Sequence, residues 1–257
     1  MKFLYSSDIH FGFTERTSAI HESLRKRELS RLEFDAVIIA GDLGASKIKH
    51  FEVACKFLRK VAGERPIFIV LGNHDFWDSS LLSFHFLKEK QKDILNRYNI
   101  INLQYLIDDK LSGETVVPAE VGGVVILGYT GWYRAILPQT NDHKHIPGFT
   151  DYDGSNLQLS RLSDQSIAEV SELAELAKDE GKQVVVVTHF GTYEKDPSFK
   201  AEYGGNTAHF PMIDGKADLF LFGHSHHGLD VVTDKGTRVF NVGGDYDQPK
   251  YVVLEVT

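Results

Sequence analysis

Residues 35–42 read Asp35-Ala36-Val37-Ile38-Ile39-Ala40-Gly41-Asp42. Five consecutive apolar residues, three of them β-branched, stop abruptly at a glycine and a carboxylate. A run without polar alternation reads as a strand covered on both faces. The pattern recurs at 66–71 (Pro66-Ile67-Phe68-Ile69-Val70-Leu71), followed by Gly72-Asn73-His74-Asp75. Upstream, the short strand candidate at 2–7 runs into Asp8-Ile9-His10-Phe11-Gly12. Downstream, 184–187 leads to Thr188-His189, and 219–222 leads to Gly223-His224-Ser225-His226. Helix-like stretches at 17–32 and 46–62, with Lys and Arg on their solvated sides, separate the first three strands. Strand and helix alternating at intervals of about 30 residues is the βαβ signature of an α/β fold.

The rest of the chain changes style. An amphipathic stretch covers 80–98. Short segments at 112–120 and 122–128, joined through glycines, suit antiparallel pairing. Residues 131–160 are irregular and are expected to form a rim or cap over a site. A helix is predicted over 164–179, with Asp164 as N-cap and Gly181 as terminator. Segments 229–233 and 237–242 flank Asp234-Lys235-Gly236 as a hairpin, and 251–256 closes the chain as a strand. The sequence holds no internal repeat or linker, so 1–257 reads as a single α/β domain with an inserted rim at about 131–160.

Composition narrows the class. The chain has 257 residues, 42% hydrophobic and 25% charged, which are ordinary globular values. No apolar run approaches the roughly 20 residues of a membrane span. The first residues reach Asp8 too early for a secretory apolar core. The single cysteine, Cys55, excludes an internal disulfide and a thiolate zinc cage. A soluble, cytoplasmic protein is expected. The net charge of -8, from 28 basic and 36 acidic residues, disfavours tight duplex DNA binding. Twelve histidines, several beside Asp, Asn or Gly, point instead toward metal or acid–base chemistry.

In an open α/β sheet, ligands bind at the carboxyl ends of the strands. Five such ends here deliver Asp8, His10, Asp42, Asn73, His189, His224 and His226 to one edge. Each short motif is weak alone, since Asp42 could be a helix cap and Asn73 a turn residue. Together, each directly after a strand-like run, they specify a site. Two carboxylates, an amide oxygen and four imidazoles suit Mn, Fe, Zn, Co or Ni rather than calcium. Seven ligands exceed one tetrahedral shell, so two divalent transition-metal ions sharing a carboxylate are expected. Two such ions outweigh Asp8 and Asp42 by two positive charges, which attracts a phosphate to an otherwise acidic chain. Ions about 3.5–4 Å apart can hold a hydroxide and clamp both attacking and leaving oxygens.

At this point the motifs resemble those of the calcineurin-like metallophosphoesterases: DxHxG at 8–12, GD at 41–42, GNHD at 72–75, a single histidine at 189 and GHxH at 223–226. The resemblance implies a four-layer α/β/β/α sandwich with a dimetal site at the strand ends. It implies that Asp8, His10, Asp42 and His226 hold one metal, and that Asp42, Asn73, His189 and His224 hold the other. Asp42 would then bridge the two. His74 matches the family histidine that contacts phosphate and protonates the leaving oxygen. The implied activity is hydrolysis of a small phosphate mono- or diester by in-line attack of a metal-bridging hydroxide, with manganese the expected metal.

Two departures stand out. The Ser/Thr protein phosphatases extend the second motif to GDxxDRG, whereas this chain reads Gly41-Asp42-Leu43-Gly44-Ala45-Ser46. That removes one familiar partner of His74 and leaves its orienting group open. After His189 the chain runs Phe190-Gly191-Thr192-Tyr193, where relatives often carry proline. Two alternative roles use the same scaffold, a non-catalytic binding protein and a nuclease. The complete ligand set argues against the first, and the negative charge against the second. Among lesser candidates, Trp132, Tyr133 and Arg134 lie at the mouth of the rim, with packing the expected role. His143 and His145 read as solvated, His209 and His227 adjoin the motifs in sequence, and His85 and Cys55 read as structural. The sequence does not encode the substrate or the oligomeric state.

Overall fold

The computed structural model describes residues 1–78, 84–106, 114–132, 155–196 and 205–257. The elements in chain order are β1 (Lys2–Ser6), α1 (Glu15–Arg27), β2 (Ala36–Ala40), α2 (Ile48–Ala62), β3 (Ile67–Val70), α3 (Phe84–Arg97), β4 (Ile101–Asn102), β5 (Gln104–Leu106), β6 (Glu114–Val116), β7 (Ala119–Val121), β8 (Val124–Tyr129), α4 (Ser155–Asp179), β9 (Gln183–Thr188), α5 (Phe210–Ile213), β10 (Leu219–Leu221), β11 (Gly228–Val232), β12 (Arg238–Val242) and β13 (Val252–Glu255).

Two sheets carry the architecture. The first has the order β13-β1-β2-β3-β4, and the second β11-β12-β10-β9-β8-β7. In the first sheet β1 to β4 pair in parallel, and only β13 is antiparallel. The central strands of the second sheet are parallel too, while β7 and β11 pair antiparallel at its edges. β5 and β6 form a separate two-stranded ribbon.

Period-two alternation divides each central strand between two apolar layers. Val37, Ile39, Ile67 and Ile69 face outward from the first sheet, onto Phe51, Cys55 and Leu58 of α2. Their neighbours Ile38, Phe68 and Val70 face inward and meet Ile126, Val185, Val187 and Leu221 of the second sheet. Val125, Leu127, Val184, Val186 and Phe220 then face out again, onto Ile167, Val170 and Ala174 of α4. The layering is therefore α/β/β/α. It explains why these strands read as unbroken apolar runs, because neither face meets water.

Local signals place the helices. Thr14 caps α1, its Oγ1 accepting from the Thr17 amide at 3.0 Å. The helix expected over 164–179 starts earlier, at Ser155, so 155–160 belong to α4 rather than to a rim. Asp164 is thus interior to the helix and not its cap. The remainder of the expected rim, 133–154, with Tyr133, Arg134, His143 and His145, lies outside the described residues. Among the described residues no helix is long and apolar enough to cross a membrane.

The middle layer is tightly packed at Gly128 of β8. A Cβ there would come 2.6 Å from Val70 Cγ1 and 2.8 Å from Leu103 Cδ1. Gly128→Val is expected to overpack this layer and cost about 1–3 kcal/mol. Urea unfolding should show a lower midpoint with an unchanged slope. An unchanged midpoint would mean that the two sheets separate freely at this point.

Candidate metal centre

The motif loops leave the strand ends in a conformation that side chains rarely adopt. Asp8, His10, Asp42, His224 and His226 all have positive φ, at 51°, 40°, 53°, 65° and 57°. Each such residue costs about 1–3 kcal/mol, held only where the surroundings over-determine it. Here the surroundings are hydrogen bonds. The Asp8, His10 and Phe11 amides donate to the Gly41, Asp42 and Leu43 carbonyls at 3.2, 2.9 and 2.9 Å, so the first two loops run as one ladder. Four further bonds cross from sheet to sheet. The His224 amide donates to both carboxylate oxygens of Asp8, at 2.9 and 3.0 Å. His189 Nδ1 donates to the Ala40 carbonyl at 3.0 Å, and the Tyr5 hydroxyl donates to the Phe222 carbonyl at 2.6 Å. Two motif glycines allow close approach, Gly41 across the sheets and Gly72 between the second and third loops. A Cβ at Gly41 would overlap His189 Nδ1, and one at Gly72 would overlap Asp42 Oδ1.

The crossing brings the expected donors together. Asp42 Oδ2 lies 3.6 Å from His10 Nε2 and 3.5 Å from His189 Nε2. Asp8 Oδ1 lies 3.7 Å from His226 Nε2. Asn73 Oδ1 lies 2.9 Å from His189 Nε2. Ligand atoms of Asp8, His10 and His226 fall within 4.8 Å of one another, as do those of Asp8, Asp42 and His189. The His224 ring stands 5.1 Å from that of His189 and leans on Phe190 at 4.3 Å.

Electrostatically the cluster suits cations. Burial, reinforced by the surrounding imidazoles, pushes the pKa values of His10 and His189 well below the usual histidine range. Both therefore stay neutral with a lone pair to offer. Burial also raises the Asp8 carboxyl, to about 6, against the pull of His226. Both ring nitrogens of His10 are buried without a hydrogen-bond partner among the described residues. The bond from His189 Nδ1 to a carbonyl fixes its tautomer, so its Nε2 lone pair faces the carbonyl oxygen of Asn73. Two electron pairs facing each other in a buried site call for a cation between them. The residues present thus fit a pair of divalent transition-metal ions.

His74 sits at the same place. Its amide donates to Asp42 Oδ1 at 2.9 Å, its ring stacks on Trp77 at 3.9 Å, and a ring nitrogen lies within 4.8 Å of the ligand atoms of His10 and Asp42. The group left open by the sequence is found in Ser46, whose Oγ lies 3.4 Å from His74 Nδ1. Asp75, although adjacent, holds backbone instead: it accepts from the amides of Leu43, Gly44 and Gly72 at 2.9, 3.0 and 2.9 Å. Sequence reasoning also missed Asp245, which accepts from His226 Nδ1 at 2.9 Å and so leaves Nε2 free for a metal. The only signal for it is a carboxylate shortly after β12, in Gly243-Gly244-Asp245.

Other candidates stand apart. Trp132 is buried between Phe76 and Phe190. His209 bonds Asp164 at 2.7 Å and the Tyr129 hydroxyl at 3.3 Å, tying α4 to β8. His227 is exposed and bonds the Ser225 carbonyl. Cys55 is buried in the layer under α2, and the His85 side chain lies outside the described ones.

Asp42→Asn is expected to lose both ions, because one carboxylate oxygen faces the histidines of both sets; elemental analysis retaining two ions with normal turnover would refute the shared role. Asp245→Ala is expected to weaken metal retention by about 10–100-fold, as loss of a carboxylate behind a ligating histidine does. Titration of the stripped protein with Mn should show this, and an unchanged affinity would mean that Asp245 does not orient His226.

No curated protein matches the chain. Solved structures match it at fold level. A dimetal phosphatase from Danio rerio superposes with a TM-score of 0.54 at 11% identity, covering 98% of this chain and 91% of its own. A phosphatase from Mycoplasma pneumoniae gives 0.50 at 17%, covering 95% and 72%. An anchor protein of the Plasmodium inner membrane complex gives 0.51 at 12%, again covering 95% and 72%. The profile of the calcineurin-like phosphoesterases matches residues 1–228, and the chain belongs to that family.

Proposed function

We propose that this chain is a metal-dependent phosphoesterase that hydrolyses a small phosphate mono- or diester. In this reading Asp8, His10, Asp42, Asn73, His189, His224 and His226 hold two divalent ions, with manganese the first choice. The observation that carries it is the position of Asp42 Oδ2, nearly equidistant from imidazoles of the two expected sets. When bound, two such ions supply a water activated for in-line attack on phosphorus and neutralise charge on the phosphoryl oxygens. The protein's own residues do the rest. Asp8 and Asp42 are held by backbone amides, so they need no reorganisation during the reaction. Ser46 and Trp77 hold the His74 ring, which donates a proton to the leaving oxygen. The lone buried Cys55 and the acidic net charge fit a cytoplasmic enzyme acting on small molecules rather than on duplex DNA.

The first test is a panel of aryl and alkyl phosphate mono- and diesters with protein loaded with Mn, Zn, Ni or Fe. Hydrolysis of at least one ester class is expected. Bound metal with no turnover on any of them would leave a binding scaffold. His74→Ala should keep both ions and slow turnover by about 10²–10⁴-fold. The loss should be smaller for nitrophenyl esters, whose leaving group needs little protonation, than for alkyl esters. Equal losses would make His74 a phosphate-positioning group, and loss of an ion would make it a ligand.

A further inference from the structure

One aromatic residue lies against the cluster without a role so far. A turn closed by reciprocal amide–carbonyl bonds between Asp245 and Gln248, at 3.2 and 2.9 Å, carries Tyr246 over the site. The Tyr246 ring centroid is 4.3 Å from that of His10, 5.2 Å from His226 and 6.4 Å from His74. Phe13, 52% exposed, packs against it at 4.4 Å. Tyr246 is half-buried, and its ring stacks on His10, which is wholly buried.

The hydroxyl is the unexplained part. Tyr5, Tyr129 and Tyr251 each hydrogen-bond through theirs, to the Phe222 carbonyl, His209 and His21. The Tyr246 hydroxyl has no hydrogen-bond partner among the described residues. The ring lies against the imidazoles of His10, His226 and His74, and a phenol is protonated at neutral pH, so Tyr246 brings to the cluster a donor without an acceptor among the described residues. A half-buried donor beside a centre that attracts anions is matched when an anion arrives.

Building on the phosphoesterase reading, we propose that Tyr246 is a substrate-contacting residue, its hydroxyl donating a hydrogen bond to a non-bridging oxygen of the bound phosphoryl group. The contact is made to an oxygen present in every phosphate ester, so it contributes equally whatever the leaving group. That separates it from His74, whose contribution depends on how much the departing oxygen needs a proton.

The test compares the Mn-loaded parent protein with Tyr246→Phe, which keeps the ring and its stack on His10. The probe is inorganic phosphate, titrated by calorimetry and as an inhibitor. Tyr246→Phe should retain two ions by elemental analysis and bind phosphate about 10–100-fold more weakly, the usual loss for a hydrogen bond to a charged group. Its kcat/KM should fall by one common factor for nitrophenyl and alkyl esters. Phosphate affinity within twofold of the parent, loss of an ion, or a fall confined to one ester class would overturn the role of Tyr246 while leaving the phosphoesterase reading intact. A parent protein that binds no phosphate and hydrolyses no ester would overturn both.

Discussion

The structure depends on one seam, where two parallel sheets are stitched together at their carboxyl ends by groups that also form the site. The Asp8 carboxylate, at the end of β1, takes the amide of His224 from beyond β10. The His189 ring, beyond β9, gives its Nδ1 proton to the last carbonyl of β2. These bonds lie beside two carboxylates and two imidazoles, those of Asp8, Asp42, His10 and His189, that are buried from solvent, which is costly unless charge is balanced there. The same geometry leaves Asp42 Oδ2 between His10 and His189, 3.6 and 3.5 Å from their Nε2 atoms. In the proposed function, two cations held there would balance these groups, and the seam would serve fold and site together.

Strain at the seam is held by staples set behind it. Asp75 fastens the second and third motif loops through three backbone amides. His21 donates from Nε2 to the Ile9 carbonyl at 2.7 Å and accepts from the Tyr251 hydroxyl at Nδ1, so α1 and the final strand both steady the first loop. His50 bonds the Ala45 carbonyl at 2.8 Å and steadies the loop that presents Ser46. These groups touch no proposed ligand ring, yet each fixes a backbone carbonyl or amide within a few residues of one. Loops that carry left-handed residues need such support to keep a single geometry.

Much of this was legible in the sequence. The unbroken apolar runs at 36–40 and 67–70 announce strands buried on both faces, and the polar residues after them announce the edge where a site forms. The seven candidate ligands are legible because each lies in the loop that follows such a run. Other parts could not be read. Asp245 and Tyr246 come into contact with His226 and His10 only through a turn some twenty residues beyond the last motif, and nothing local marks that contact. Ser46 replaces the expected orienting group of His74 by proximity, which spacing does not reveal. The start of α4 at Ser155 was hidden because its first turns lack a clean amphipathic pattern. The histidine count was also only half informative: His21, His50 and His209 serve backbone or helix packing, and their partners, the Ile9 and Ala45 carbonyls and Asp164, separate them from the cluster, not type or burial.

The central claim is that five strand ends hold two ions around one shared carboxylate. Anomalous diffraction from crystals of the Mn-loaded protein tests it most directly. The account predicts two manganese peaks about 3.5–4 Å apart, one on either side of Asp42, one beside His10 and the other beside His189. A single peak, two peaks that do not share Asp42, or a metal bound elsewhere with the cluster empty would contradict it.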